Sequence, residues 1–407
     1  MPSAARPHRS RRRAAVGAVL AVALIVTGIF VGDRLGHRHR FAPSSAAPSP
    51  MAAPGTTSAL ALPATGCGEA SSLLASMSTR DKLAQLLMVG VTGEADARAV
   101  VASHHVGGIF IASWTDLSLL TDGSLPGIAG TAGPLPLAVS VDEEGGRVSR
   151  LSSLIGPAPS ARVLAQTESP EEVYWLALER GRKMRRFGIT VDFAPVVDVT
   201  SAPADTVIGD RSFSADPVVV TQYAGAYARG LRDAGLLPVL KHFPGHGHAS
   251  GDSHAGPVVT PPLDDLEKVD LVPYRTLVAQ APLGVMIGHL QVPGLTDGDP
   301  ASLSRAAVAL LRNGSGYGAP PFTGPVFTDD LASMRAISDR YGVAEAALKA
   351  LQAGADTALW VTTTTEVPAV LDRLESAIAA GTLRMANIDA SVLRMAAAKT
   401  FNSGCGH

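Results

Sequence analysis

The chain has 407 residues, 46% of them hydrophobic and 5% aromatic, enough for one large domain or two ordinary ones. Its formal charge of −2 hides an asymmetry: residues 1–40 carry eight Arg against one acid, Asp33, leaving −9 on the remainder. A weakly acidic body argues against a nucleic-acid partner, which needs a basic face to neutralise phosphates.

In chain order, a basic segment, residues 1–13, ends in Arg11, Arg12 and Arg13. Behind it, residues 14–31 (AAVGAVLAVALIVTGIFV) form an apolar run of 18 residues without charge. This is a membrane-insertion signal, either an uncleaved transmembrane anchor or a signal peptide. The Arg-rich front is expected to stay cytoplasmic and the body to be exported. The following GDRLGHRHR offers no small-x-small cleavage site. The segment 32–66, uncharged and rich in Ala, Pro, Ser and Thr from residue 41 on, reads as a disordered linker. Within it Ala64-Thr65-Gly66, followed by Cys67, faintly resembles a lipid-attachment box, but lies far downstream of the apolar run.

The two cysteines, Cys67 and Cys405, bracket the body. In an oxidising compartment this placement suggests a disulfide tying its ends together, with an upper bound of ~5 kcal/mol in the loop-entropy model.

Short apolar, β-branched runs then recur. Strands are expected near 85–91, 107–112, 135–142, 189–199, 236–243, 284–290, 324–330 and 357–362. Helices are expected at 171–187, 217–234, 303–313, 335–353 and 366–380. Continuous apolar strands separated by helices mean parallel strands buried on both faces. Eight such units suggest an α/β fold of the (β/α)8 TIM-barrel type, a single catalytic domain over 67–407. The rival doubly wound sheet usually carries a Gly-rich fingerprint after its first strand, and none follows residues 85–91.

Barrel active sites lie at the carboxyl ends of the strands, and unusual polar residues fall there. Asp142 ends the third expected strand and EEGGR follows it. Arg211 lies in the loop after the fourth. Lys241 and His242 end the fifth, with Asp252 and His254 in the loop beyond. His289 ends the sixth, and Asp329 and Asp330 end the seventh. Charge at the end of a strand buried on both faces is costly unless a site uses it, so the pattern favours an enzyme over a binding module. The segment Lys241–His254 (KHFPGHGHASGDSH) holds four His, one Lys, one Asp and three Gly. It leaves three readings open: a metal site, acid/base work by a His held by a carboxylate, or solvated loop residues.

KHFPGHG followed by DSH, with DEEGGRVSR upstream and FTDDL downstream, resembles family 3 of the glycoside hydrolases. The match is to the single-domain bacterial β-N-acetylhexosaminidases of the NagZ type, and within them to exported actinobacterial members. It runs from about Asp81 to about Lys399. The resemblance implies that Asp329 is the nucleophile of a retaining reaction through a glycosyl-enzyme, His254 the acid/base and Asp252 its orienting partner. It also implies that Asp142, Arg150, Arg211, Lys241 and His242 grip the sugar, with no cofactor and no metal. Asp330 is expected to cap a helix after the seventh strand, and Arg147 to hold the EEGG turn. His246 and His248 are expected to shape or solvate their loop, His289 to line the pocket, and Asp192 and Asp198 to be architectural.

The expected activity is removal of terminal, non-reducing β-linked N-acetylglucosamine. A peptidoglycan-derived sugar or muropeptide would be the substrate of a monomer held at the membrane by its anchor, or secreted if the segment is cleaved. A β-glucosidase or β-glycoside phosphorylase is the alternative within the family. A non-catalytic cell-wall sugar-binding protein is the alternative outside it.

Overall fold

The computed structural model describes residues 77–401, with Ser72, Leu74 and Ala75 ahead of them. The 14–31 segment, the 32–66 linker, Cys67 and Cys405 lie outside the described residues. Among those described, no helix is long and apolar enough to cross a membrane.

Eight of the apolar runs form strands, here β1 (Leu87–Val91), β2 (Gly108–Ile111), β3 (Ala138–Val141), β4 (Val191–Asp192), β5 (Leu237–Phe243), β6 (Gly284–Ile287), β7 (Val326–Thr328) and β8 (Ala358–Trp360). Each pairs in parallel with its sequence neighbour from β1 to β7, and β1 also pairs with β8. A parallel bridge from Phe327 to Thr357 joins the last two strands, so the sheet closes into the expected barrel. Every residue of these strands is buried, which explains why they read as continuous apolar runs rather than alternating ones.

Two long outer helices show why the chain alternates as it does. Pro170–Arg186 starts on a capping box, the Ser169 hydroxyl accepting from the Glu172 N–H while the Glu172 carboxylate returns to the Ser169 N–H. It ends on Lys183, Arg185 and Arg186, which suit the negative end of the helix dipole. Pro217–Asp233 is capped by Asp216. The two pack tightly because Gly230 has no side chain: a Cβ there would meet the Tyr174 carbonyl oxygen at 2.5 Å.

Two expected elements are corrected. The helix expected over 335–353 is two, Arg335–Ser338 and Val343–Ala353, broken at Asp339–Gly342. The strand expected over 189–199 ends at Asp192. Pro195 has no N–H to continue the ladder, and beyond Asp192 the chain is tied to its neighbours by single bonds: Phe193 N to the Val141 carbonyl, Val239 N to the Ala194 carbonyl and Val197 N to the Lys241 carbonyl.

Candidate active site

Lys241 and His242 are consecutive in β5, and a regular strand would send them to opposite faces. The ladder with β6 slips there: Leu240 pairs with Val285 but Phe243 with Ile287, so β5 spends one extra residue. A bulge of this kind re-aims side chains, and both residues join one polar network.

Lys241 is 2% exposed. Its Nζ lies 2.6 Å from Asp142 Oδ1 and 2.5 Å from Glu144 Oε1. Burial works to lower its pKa, but the two carboxylates outweigh it and hold the ammonium above the ordinary lysine value. Arg211 forks Glu144, donating from Nε and Nη2 at 2.8 Å each. Burial would raise the Glu144 pKa, yet Arg211 and Lys241 hold this carboxyl well below the usual range. Each of these charges would be costly alone, and the network makes them tolerable. Asp142 is the more open member, its side chain 22% exposed against 5% for Glu144.

His242 Nδ1 is 2.7 Å from Asp198 Oδ2, and Nε2 is 3.4 Å from Arg211 Nη2. The carboxylate can only accept and the guanidinium only donate, so the proton is assigned to Nδ1 and the lone pair to Nε2. Asp198 is fully buried and accepts also from the main-chain N–H groups of His242 and His246 through Oδ1. It was expected to be architectural, and it holds the His242 imidazole and two main-chain N–H groups in place.

Asp329 follows β7 and is 9% exposed. Its Oδ1 accepts from the Asp330 N–H at 2.8 Å. Burial acts to raise its pKa, but His242, His289, that N–H and Lys241 together keep the carboxyl below its ordinary value. Asp330 faces elsewhere. It accepts from Ala332 N, Ser333 N, the Ser333 hydroxyl and Val361 N. It therefore caps a turn and ties it to the end of β8, rather than starting a helix, since the next helix begins at Arg335. His289 is 1% exposed and closes the same corner, Nε2 donating to the Asp330 carbonyl and Nδ1 accepting from Ser302.

His254 and Asp252 are linked twice: Nδ1 and the main-chain N–H of His254 both donate to Asp252 Oδ1, at 2.8 and 2.9 Å. Their side chains are 59% and 41% exposed. Burial raises the Asp252 pKa, but the N–H and the imidazole of His254 pull it below the ordinary value. Between them Ser253 is 4% exposed. Its carbonyl accepts from Ala336 N at 3.1 Å, and its hydroxyl meets Met334 Sδ at 3.6 Å. The dyad thus rides on a residue docked against the segment that follows Asp329.

The four His of this region do not share one centre. His248 pairs with Asp270 at 3.0 Å, which raises its pKa. His246, expected to shape or solvate its loop, is 5% exposed, and neither ring nitrogen has a partner among the described residues. Arg147 bonds the carbonyls of Thr206, Val207 and Ile208 and pairs with Asp210, so it straps the EEGG hairpin to the loop after β4. Arg150 donates its main-chain N–H to Glu143, while its guanidinium has no partner among the described residues. Asp192 gives one oxygen to the Glu143 N–H; burial pushes its pKa well above the ordinary value.

A family model, the glycosyl hydrolase family 3 N-terminal domain, matches residues 78–398. The chain belongs to glycosyl hydrolase family 3. It is 66% identical over 369 residues to the beta-hexosaminidase LpqI of Mycobacterium tuberculosis, covering 90% of this chain and 94% of that protein. Among solved structures it is similar to a family 3 glycosyl hydrolase from Mycobacterium smegmatis, with 73% identity, a TM-score of 0.79, and coverage of 80% and 98% of the two chains. A family 3 beta-N-acetylglucosaminidase from Paenibacillus is 34% identical, with a TM-score of 0.75, over 82% of this chain and 64% of that one.

In this family 3 hydrolase the described site offers two chemistries on one rim. One is a carboxylate kept charged in a buried setting; the other is an exposed His–Asp pair whose Nε2 has no partner among the described residues. Glu144 and Asp198 complete the network and were not among the residues singled out for the sugar. The signal for Glu144 was present in the sequence: two acids directly after a strand-end Asp.

Proposed function

We propose that the protein is a retaining exo-β-N-acetylglucosaminidase. The terminal sugar is held by Asp142, Arg150, Arg211, Lys241 and His242. Asp329 attacks the anomeric carbon while His254, steadied by Asp252, protonates the leaving oxygen. His254 then takes a proton from the water that releases the sugar from Asp329. The observation that carries this reading is the Ser253 carbonyl's bond to Ala336, which fixes the exposed dyad to the segment beyond Asp329. The named relative's activity supports the choice of N-acetylhexosamine over glucose. The arginine-flanked 14–31 segment supports export, so peptidoglycan-derived sugars and muropeptides are the substrates proposed, with the chain anchored or secreted.

A panel of p-nitrophenyl β-glycosides of GlcNAc, glucose and xylose, with and without phosphate, tests the reading. Hydrolysis of the GlcNAc glycoside, with the β-anomer released first by NMR, is expected. Cleavage of glucose without GlcNAc, release of the α-anomer first, or formation of a sugar 1-phosphate would each sink it.

A further inference from the structure

Three tryptophans occur in the chain. Trp360 is fully buried and donates from Nε1 to the Thr363 carbonyl. Trp175 is 56% exposed, but it lies on the outer helix Pro170–Arg186 with its ring edge against Tyr174, 5.0 Å between centroids. Trp114 is different. It is 52% exposed and stands on the carboxyl rim of the barrel, three residues beyond the end of β2, with no aromatic or cation–π contact among the described residues.

The register locates it. Ile111 pairs with Val141, so the turn that carries Trp114 leaves the strand next to the one that Asp142 follows. That turn is held rigidly. Thr115, 6% exposed, donates its hydroxyl to the Val91 carbonyl at 2.6 Å and accepts from Ala112 N at 2.9 Å. Its own N–H returns to the Ala112 carbonyl, and Asp116 N bonds the Thr92 carbonyl at 2.8 Å. A large apolar ring fixed in water costs free energy, so an exposed aromatic on a rigid turn one strand away from Asp142 reads as a prepared contact. Its surroundings, Ser113, Thr92 and Asp116, are exposed and polar. A pyranose ring, with an apolar C–H face and a hydroxyl edge, fits an indole set among such groups.

We propose that Trp114 is the stacking platform for the second sugar ring, the one that leaves when the terminal N-acetylhexosamine is cleaved. The proposal rests on the exo-glycosidase reading above. It makes Trp114 a specificity determinant outside the reacting atoms: it binds the leaving ring and takes no part in bond cleavage.

The test compares two substrates in the full-length protein: N,N′-diacetylchitobiose, which carries a second pyranose, and methyl β-N-acetylglucosaminide, which does not. Trp114→Ala is expected to lower kcat/KM for the disaccharide about tenfold, mainly through KM, and Trp114→Phe to restore most of it. The methyl glycoside is expected to be cleaved within about twofold of the wild-type rate, which also shows that the variant folds. An equal loss on both substrates, or no loss on the disaccharide, overturns the platform while leaving the glycosidase reading intact. Failure of the wild-type protein to cleave either substrate overturns that reading, and the platform with it.

Discussion

The Nδ1 of His242 lies 2.7 Å from Oδ2 of Asp198, a carboxylate with no exposure to solvent. Oδ1 of the same carboxylate is committed to two main-chain N–H groups, at 3.2 and 2.7 Å. In Asp198→Asn the single amide oxygen stays with those two donors, and the NH2 turns toward Nδ1. His242 must then move its proton to Nε2, where it faces a donor nitrogen of Arg211. Loss of the correct tautomer is expected to lower kcat/KM roughly 10- to 100-fold, with little change in fold. Steady-state kinetics beside a thermal melt check this; unchanged kinetics would show that the Asp198 contact is structural only.

Glu144 neutralises two buried cations at once, Lys241 and Arg211. Glu144→Gln leaves Lys241 with Asp142 and Arg211 with no paired carboxylate among the described residues, an incompletely paired state that costs on the order of 3–5 kcal/mol. The sign of the pH effect follows from the depressed folded-state value. The group's contribution is fully present above the unfolded value, near 4.5, and is lost as pH falls through the folded one. Wild-type stability is therefore expected to fall more steeply than that of Glu144→Gln as the solution is acidified below about pH 4.5. Urea melts at pH 7 and pH 3.5 measure both effects; parallel pH slopes for the two proteins would contradict the assignment.

The barrel was legible because parallel strands buried on both faces must be written as apolar runs, and because a charge at the end of such a run stands out. Asp142, Lys241, His242 and Asp329 were visible for that reason. Glu144 and Asp198 were harder to assign because their work is relational. Glu144 shares a hairpin with Glu143, whose carboxylate binds Arg180, Ser149 and two backbone N–H groups and is purely structural. Spacing cannot say which of two adjacent acids turns to the pocket. Asp198 sits beyond the early end of β4, so its direction depended on how the chain leaves the ladder after Pro195. The break at Asp339–Gly342 likewise has no signal stronger than one glycine in an otherwise helical run.

His254 is exposed, and among the described residues Asp252 and the docked Ser253 hold it. An acid in that position matters in proportion to the basicity of the leaving oxygen. His254→Ala is expected to lower the rate on a sugar leaving group by ~100- to 10,000-fold, while nitrophenol, which needs little protonation, suffers far less in the glycosylation step. Kinetics on p-nitrophenyl GlcNAc and on diacetylchitobiose separate the two. Equal losses on both would remove His254 from the acid role. By contrast, Asp329→Ala should abolish turnover on either substrate, and a fluorosugar should label Asp329 in the wild-type protein but leave this variant unlabelled.

Lys399 lies at the opposite end of the barrel from this chemistry. The terminal helix Met385–Thr400 carries it to the amino ends of β1 and β2, where Nζ donates to the Gly107 carbonyl at 2.8 Å and to Gln85 Oε1 at 3.2 Å. No carboxylate is paired with it among the described residues, and burial pushes its pKa down to about 7. The unfolded chain holds that proton up to the ordinary lysine value, near 10.5. Between the two values the unfolded state binds more protons, so this group makes stability rise as pH rises from about 7 toward 10. Below pH 7 both states are protonated and the penalty of the buried ammonium is constant. Lys399→Met is expected to remove that slope. Its effect on absolute stability is smaller than the lost penalty, because the Gly107 carbonyl is left without this donor. Chemical denaturation of both proteins at pH 7 and pH 9 decides the matter: the wild type should gain stability relative to the variant across that interval, and a constant difference would show that Lys399 keeps its charge where it is buried.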